Sequence, residues 1–351
     1  MVKSPQSLLP DVDAIIEPYL HEAVAELDGD APLLAGMARY HMGWLTPDLQ
    51  PADERATVRG KRIRPTIAIL SCAAVGGDPK RAAPLAAAIE LLHNFTLVHD
   101  DIQDESPTRR HRPTVWSLWG SSQAINAGDA LFACSHLALY RLREQGVPES
   151  LTLRLAAEFD RTTLAIVRGQ VLDLQFEGRG DITPEQYHTM IAGKTADIVR
   201  YAAWAGALAG GADEDVAYRF AEFGLALGLG FQVRDDLLGI WGTTAETGKA
   251  EADDIRRRKQ TLPILLLRER ASEAEREELS ALFSEAEVSP AGIARVLDLL
   301  EKHGIRFIVE AEITAFHDRA KDALLAATGD GPNEARDGLL RLVEFLVTRR
   351  H

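Results

Sequence analysis

Two groups of aspartates stand out as residues that could do chemistry: Asp100, Asp101 and Asp104 in LVHDDIQDESPTRR, and Asp235 and Asp236 in FQVRDDLLG. Residues four apart share a helix face, so Asp100 and Asp104 can aim their oxygens at one point. Both groups sit in apolar stretches, where an unpaired buried carboxylate is costly unless a cation answers it. Clustered carboxylates suit hard cations, and Mg²⁺ in particular is shared between a few carboxylates, water and phosphate oxygens. Basic residues flank the acids. Arg109, Arg110 and Arg112 follow in SPTRRHRP, Lys61, Arg62 and Arg64 crowd GKRIRP upstream, and Lys249 and Lys259 lie in TGKAEADDIRRRKQTLP. Guanidinium forks match phosphate oxygens, and Pro65 reads as the start of a helix whose amides would add to an anion site. The chemistry implied is a diphosphate held by metal on one side and fixed cations on the other. Each motif alone has a plainer reading: an acidic helix end or a basic run is a solvated face, and His93 on an apolar helix is a core residue. Their joint placement favours the site.

The elements that must position these residues are helical. Apolar positions recur at helical spacing, and strand-like alternation is nowhere sustained. Helices are expected near 65–75, 81–105, 121–144, 184–210, 213–241 and 305–328, among others. The stretch AAPLAAAIELLHNFTLVHDD is apolar on almost every side, which places its helix at the centre of a bundle. Gly224, Gly228 and Gly230 in FGLALGLGFQ serve either close helix approach or room for a ligand. The two acidic groups are expected near the ends of two central helices facing a shared cavity, a site built from side chains on facing helices.

The chain has 351 residues, 46% of them hydrophobic and 6% aromatic, with no linker, repeat or change of composition. The reading is all-α: one domain, 1–351, a single-domain bundle of roughly a dozen helices around a central cavity. A net charge of -14 argues against a nucleic-acid partner. Cys72 and Cys134 lack metal-ligand spacing, which suits a reducing compartment. With no signal core and no membrane-length apolar span, a cytoplasmic protein is expected.

In chain order, GKRIRP, ELLHNFTLVHDDIQD, RRHRP, NAGDALF, GQVLDL, GKTADI, FQVRDDLLG and TGK with KQTLP resemble the polyprenyl synthetase family of trans-isoprenyl diphosphate synthases over most of the chain. The resemblance implies an isoprenoid-synthase bundle, a homodimer, and a Mg²⁺-dependent prenyltransferase with three ions per active site. Its substrates would be isopentenyl diphosphate and an allylic diphosphate. Asp100, Asp104 and Asp235 would hold the metal, with Asp101 in support. Arg109, Lys194, Lys249 and Lys259 would contact the allylic diphosphate; Lys61, Arg64, His93 and Arg110 would form the isopentenyl diphosphate pocket. Thr195 and Gln232 would lie near the reacting carbons. Phe95, with the small Thr96 beside it, resembles a pocket floor that sets the product at geranylgeranyl diphosphate, farnesyl diphosphate being the runner-up. A class I terpene cyclase and a non-catalytic partner subunit are the competing readings. The chain departs from the family pattern at Gly239, where a third aspartate is often found, and at His111, where glycine is common.

Overall fold

Leucine- and alanine-rich segments punctuated by proline and glycine form helices almost throughout. A computed structural model describes residues 12–53, 60–244, 250–284 and 287–348. The helices, in order, are α1 Val12–Ala25, α2 Pro32–His41, α3 Ile63–Ala74, α4 Ala83–Gln103, α5 Val115–Trp119, α6 Ser121–Tyr140, α7 Glu149–Phe176 and α8 Pro184–Ile191. They continue as α9 Asp197–Gly210, α10 Glu214–Trp241, α11 Asp253–Arg256, α12 Leu262–Arg270, α13 Glu273–Ser284, α14 Pro290–Lys302, α15 Ile305–Thr328 and α16 Glu334–Thr348. Among the described residues, strand is confined to the two-residue pair β1 Thr108–Arg109 and β2 Arg112–Pro113, antiparallel to each other, and one isolated bridge, Leu45 to Pro51. The chain is all-α.

The described residues fall into two compact units. The first is drawn from 1–160, 202–217 and 333–335, the second from 161–201, 218–332 and 336–351. In the first, α4 packs along α6. Gly128 of α6 permits that approach, because a Cβ there would stand 2.3 Å from His99 Nε2 on α4. From Leu85 to Leu92 every residue of α4 is buried, as its all-round apolar sequence requires. In the second unit, Leu237 and Ile240 of α10 share a core with Leu262 and Leu265 of α12 and Val309 and Ile313 of α15.

Two expectations change. The helix expected to begin at Pro65 begins at Ile63, after Arg62 in a left-handed conformation (φ 46°). Buried Arg62 pairs with Asp13 at 2.8 Å and Glu17 at 2.6 Å, so it ties α1 to the start of α3. The single helix expected over 184–210 is interrupted at Ala192–Ala196 by a π turn. Such turns occur often at functional sites, and this one holds Lys194 and Thr195. Among the described residues no helix is long and apolar enough to cross a membrane.

Candidate active site

In the first unit the acidic residues crowd the end of α4: Asp100 is half-buried, Asp101 buried, and Asp104 exposed as the residue that ends the helix. A helix C-terminus carries partial negative charge, so three carboxylates there oppose the helix dipole and favour a cation. Asp101 is answered within the protein: Arg109 Nε donates to its Oδ1 at 2.8 Å. Burial pushes Asp101 above the usual carboxylate range, and Arg109 draws it back.

Arg109 belongs to β1, and the two residues joining β1 to β2, Arg110 and His111, both have left-handed backbones (φ 52° and 62°). That is the geometry of a two-residue hairpin turn whose twist suits the flanking strands. Glycine would adopt that backbone at position 111 without steric cost. Gly60 lies against the Arg110 guanidinium, since a Cβ on it would approach Nη2 to 2.7 Å. Beside Arg110 and Gly60, a hollow is lined by Tyr40, His41, Glu90 and Asn94.

Arg64 Nη1 stands 3.2 Å from His93 Nε2. Arginine can only donate, so His93 Nε2 accepts and the ring is neutral with its proton on Nδ1. Burial, then repulsion from Arg64, Arg110, Arg109 and His41, depresses the His93 pKa well below its ordinary value. Arg64 is itself lowered by burial, against the pull of Glu90. Lys61 is exposed. Sequence reasoning missed two members of this cluster. His41, on α2, is driven to about 3 by burial and the neighbouring Arg109 and Arg110. Buried Glu90, held by Asn94 Nδ2 at 3.3 Å, is the carboxylate that tempers the guanidinium charges. Neither could have been found by spacing, because His41 lies about fifty residues from His93 and Glu90 looks like one charge on an apolar helix.

One turn before Asp100, Phe95 packs edge-on against His99 (ring centroids 4.8 Å apart) and tilted against Phe132 of α6 (5.2 Å). Thr96 turns its hydroxyl back to the His93 carbonyl at 2.8 Å.

In the second unit, Asp235 is exposed and Asp236 buried. The two were read as one acidic pair; the fold gives them different work. Asp236 accepts from Tyr187 Oη, from the Leu262 amide at 3.1 Å and from Gln232 Nε2 at 3.1 Å. Neutral donors, not a cation, therefore satisfy it, and burial raises its pKa to about 7. The other face of Gln232 accepts from Thr195 Oγ1 at 3.0 Å, so Thr195, Gln232, Asp236 and Tyr187 form one chain of hydrogen bonds. Lys194 Nζ is paired with Asp173. The glycines of GQVLDL and GKTADI explain that meeting. A Cβ on Gly169 would lie 2.3 Å from Lys194 N, and one on Gly193 would lie 2.7 Å from the Ala165 carbonyl oxygen, so α7 and the π turn touch backbone to backbone. A Cβ on Gly224 would likewise lie 2.5 Å from Val199 O, and one on Gly228 2.6 Å from Ala196 Cα, so these two glycines serve close helix approach. Half-exposed Lys259 lies 3.8 Å from Asp254. Burial disfavours its charge, but Asp254, Asp236 and Asp173 together hold its pKa above the ordinary value. Lys249 lies outside the described residues.

Among the described residues no three acidic, histidine or cysteine side chains converge to cage a metal. Asp100 and Asp104, one turn apart at the end of α4, are two carboxylates, a number that fits an ion such as Mg²⁺, which keeps the rest of its shell in water and substrate phosphate.

The polyprenyl synthetase family pattern matches residues 49–300. A (2E,6E)-farnesyl diphosphate synthase of Mycobacterium bovis is 38% identical over 339 residues, 96% of this chain and 91% of that protein. A geranylgeranyl diphosphate synthase of Mycobacterium tuberculosis is 36% identical over 346 residues, 98% of this chain and 94% of that protein. A polyprenyl synthase of Caulobacter crescentus CB15, crystallised with calcium and isoprenyl diphosphate, superposes with a TM-score of 0.79 at 29% identity, covering 99% of this chain and 98% of that one. With its ordered motifs and all-α architecture, the chain belongs to the polyprenyl synthetase family, the trans-isoprenyl diphosphate synthases.

Proposed function

We propose that this prenyltransferase condenses isopentenyl diphosphate with allylic diphosphates, head to tail and trans, to give geranylgeranyl diphosphate. The observation that carries the substrate reading is the cluster of Arg64, neutral His93 and Arg110 beside the acidic end of α4. Arg64 and Arg110 supply guanidinium forks for a diphosphate, and Lys61 adds a third cation. Asp100, Asp104 and Asp235 are the carboxylates read as ligands for Mg²⁺, three ions per site. Bound there, Mg²⁺ would supply positive charge against the departing diphosphate. Arg109, Lys194, Lys249 and Lys259 are the cations read as contacts of the allylic diphosphate, positive charge that stabilises a leaving group as the carbon–oxygen bond breaks. The allylic cation left behind is attacked by the alkene of isopentenyl diphosphate, with the oxygens of Thr195 and Gln232 as stabilisers near the reacting carbons. A proton then passes to the departed diphosphate, completing a product one five-carbon unit longer. Water must be excluded, since it would quench the cation.

Bulky Phe95, backed by Phe132 and flanked by small Thr96, supports a floor that stops growth at twenty carbons. Farnesyl diphosphate is the second reading, favoured by the name of the Mycobacterium bovis relative. The purified protein, incubated with labelled isopentenyl diphosphate, an allylic starter and Mg²⁺, should release a twenty-carbon diphosphate and should stop when EDTA is added. A fifteen-carbon end product would select the second reading; a cyclic hydrocarbon, or no product, would overturn both.

We also infer a cytoplasmic homodimer. Cys72 and Cys134 are buried free thiols, as in a reducing compartment. Leu164, Val167, Val171 and Leu174 expose an apolar stripe on one face of α7, a surface suited to a second copy of the chain.

A further inference from the structure

Gly239 closes the second acidic motif where a carboxylate often stands, and the fold shows what fills the space. A Cβ built on Gly239 would lie 2.0 Å from Asp254 Oδ2 and 2.5 Å from Asp254 Cγ. No side chain could begin there while Asp254 keeps its position. Asp254 sits in α11, entered through Ala252 in a left-handed conformation (φ 53°), and is 5% exposed. It is joined to Lys259 twice. The Lys259 amide donates to the Asp254 carbonyl at 2.9 Å, and the Lys259 ammonium stands 3.8 Å from Asp254 Oδ1. A lysine carries about 2 kcal/mol of rotamer entropy, so a fixed carboxylate beside its tip narrows the directions in which the ammonium points.

We propose that Gly239 is the seat of Asp254, and that Asp254 is a positioning residue that holds the Lys259 ammonium for the diphosphate. The glycine is then not a lost carboxylate but the condition for a different one. This rests on reading Lys259 as a diphosphate contact. Gly239→Asp, which rebuilds the commoner acidic motif, should weaken diphosphate binding by evicting Asp254.

The test is titration calorimetry of inorganic pyrophosphate with Mg²⁺, at a temperature where circular dichroism shows every variant folded. Gly239→Ala and Asp254→Ala should each weaken binding about fivefold, the scale of a partly exposed ion pair. The double variant should bind no worse than Asp254→Ala, because the added methyl then meets vacated space. In a Lys259→Ala background, Asp254→Ala should cost nothing further, which a merely structural role would not produce. Additive losses, or unchanged binding in Gly239→Ala, would overturn the inference. If Lys259→Ala itself binds pyrophosphate normally, the reading of Lys259 fails and the inference with it. If Lys259→Ala binds weakly while Asp254→Ala does not, only the inference fails.

Discussion

His93 shows how neighbours decide what a side chain can do. On an apolar helix it looked like a core histidine; Arg64 at 3.2 Å makes it a neutral acceptor within a cluster of cations. A neutral ring there adds no repulsion to the guanidinium groups that a diphosphate would need. Phe95 is decided in the same way. Its contacts with His99 and Phe132 hold the ring against α6, so truncation would leave a void that the neighbouring aromatics only partly close. Phe95→Ala should lengthen the product by one or more five-carbon units, read by chromatography of the dephosphorylated prenols. Unchanged length would show that Phe95 is not the floor.

At the scale of elements, the β1–β2 hairpin bears candidate site residues in backbone conformations that cost energy, and the π turn bears two more candidates. Arg110 and His111 both adopt left-handed backbone without being glycine, and such strain persists where surrounding structure holds it. His111→Gly should remove the part belonging to His111 and stabilise the protein by about 1 kcal/mol, measured by urea unfolding. A loss of stability would mean that the His111 side chain repays its own strain. The π turn was not legible in GKTADI, because its one glycine, Gly193, weakens a helix without specifying a π turn. It coincides with the close backbone approach of α7, which Gly169 on α7 and Gly193 in the turn both permit. By contrast α15 was legible to the residue: 305–328 by periodicity, and Ile305–Thr328 in the structure.

For the whole molecule, stability against acid follows from buried neutral histidines. Burial lowers His317, on α15, to about 4, and His41 to about 3. Unfolded, each binds a proton near pH 6.5, so at these histidines the unfolded chain holds more protons and their contribution to stability falls with falling pH; buried Asp236, raised to about 7, works the other way and offsets part of the fall. The window opens at about pH 6.5 and closes near pH 4 for His317. His317 is 2% exposed, and within that window it should remove up to about 1.4 kcal/mol per pH unit. Urea unfolding at pH 7 and pH 5 should show the fall, and His317→Gln should flatten it; an unaltered slope would deny His317 this role. The α7 stripe has its own test. Val167→Asp should convert a dimer to a monomer in sedimentation, and a wild-type protein that sediments as a monomer would remove the homodimer from the account.

What the sequence determined by itself was local or periodic: helices from apolar spacing, the acidic end of α4, and an ordered set of motifs that marks the family. Those follow from neighbours a few residues apart, which the chain states directly. The tertiary structure decided what depends on distant partners. It sent Arg62 to α1, gave Asp236 to Tyr187 and the Leu262 amide while leaving Asp235 exposed, and put the Asp254 carboxylate where Gly239 has no side chain. The reason is physical: burial and charge at each of these atoms are set by groups brought together only on folding.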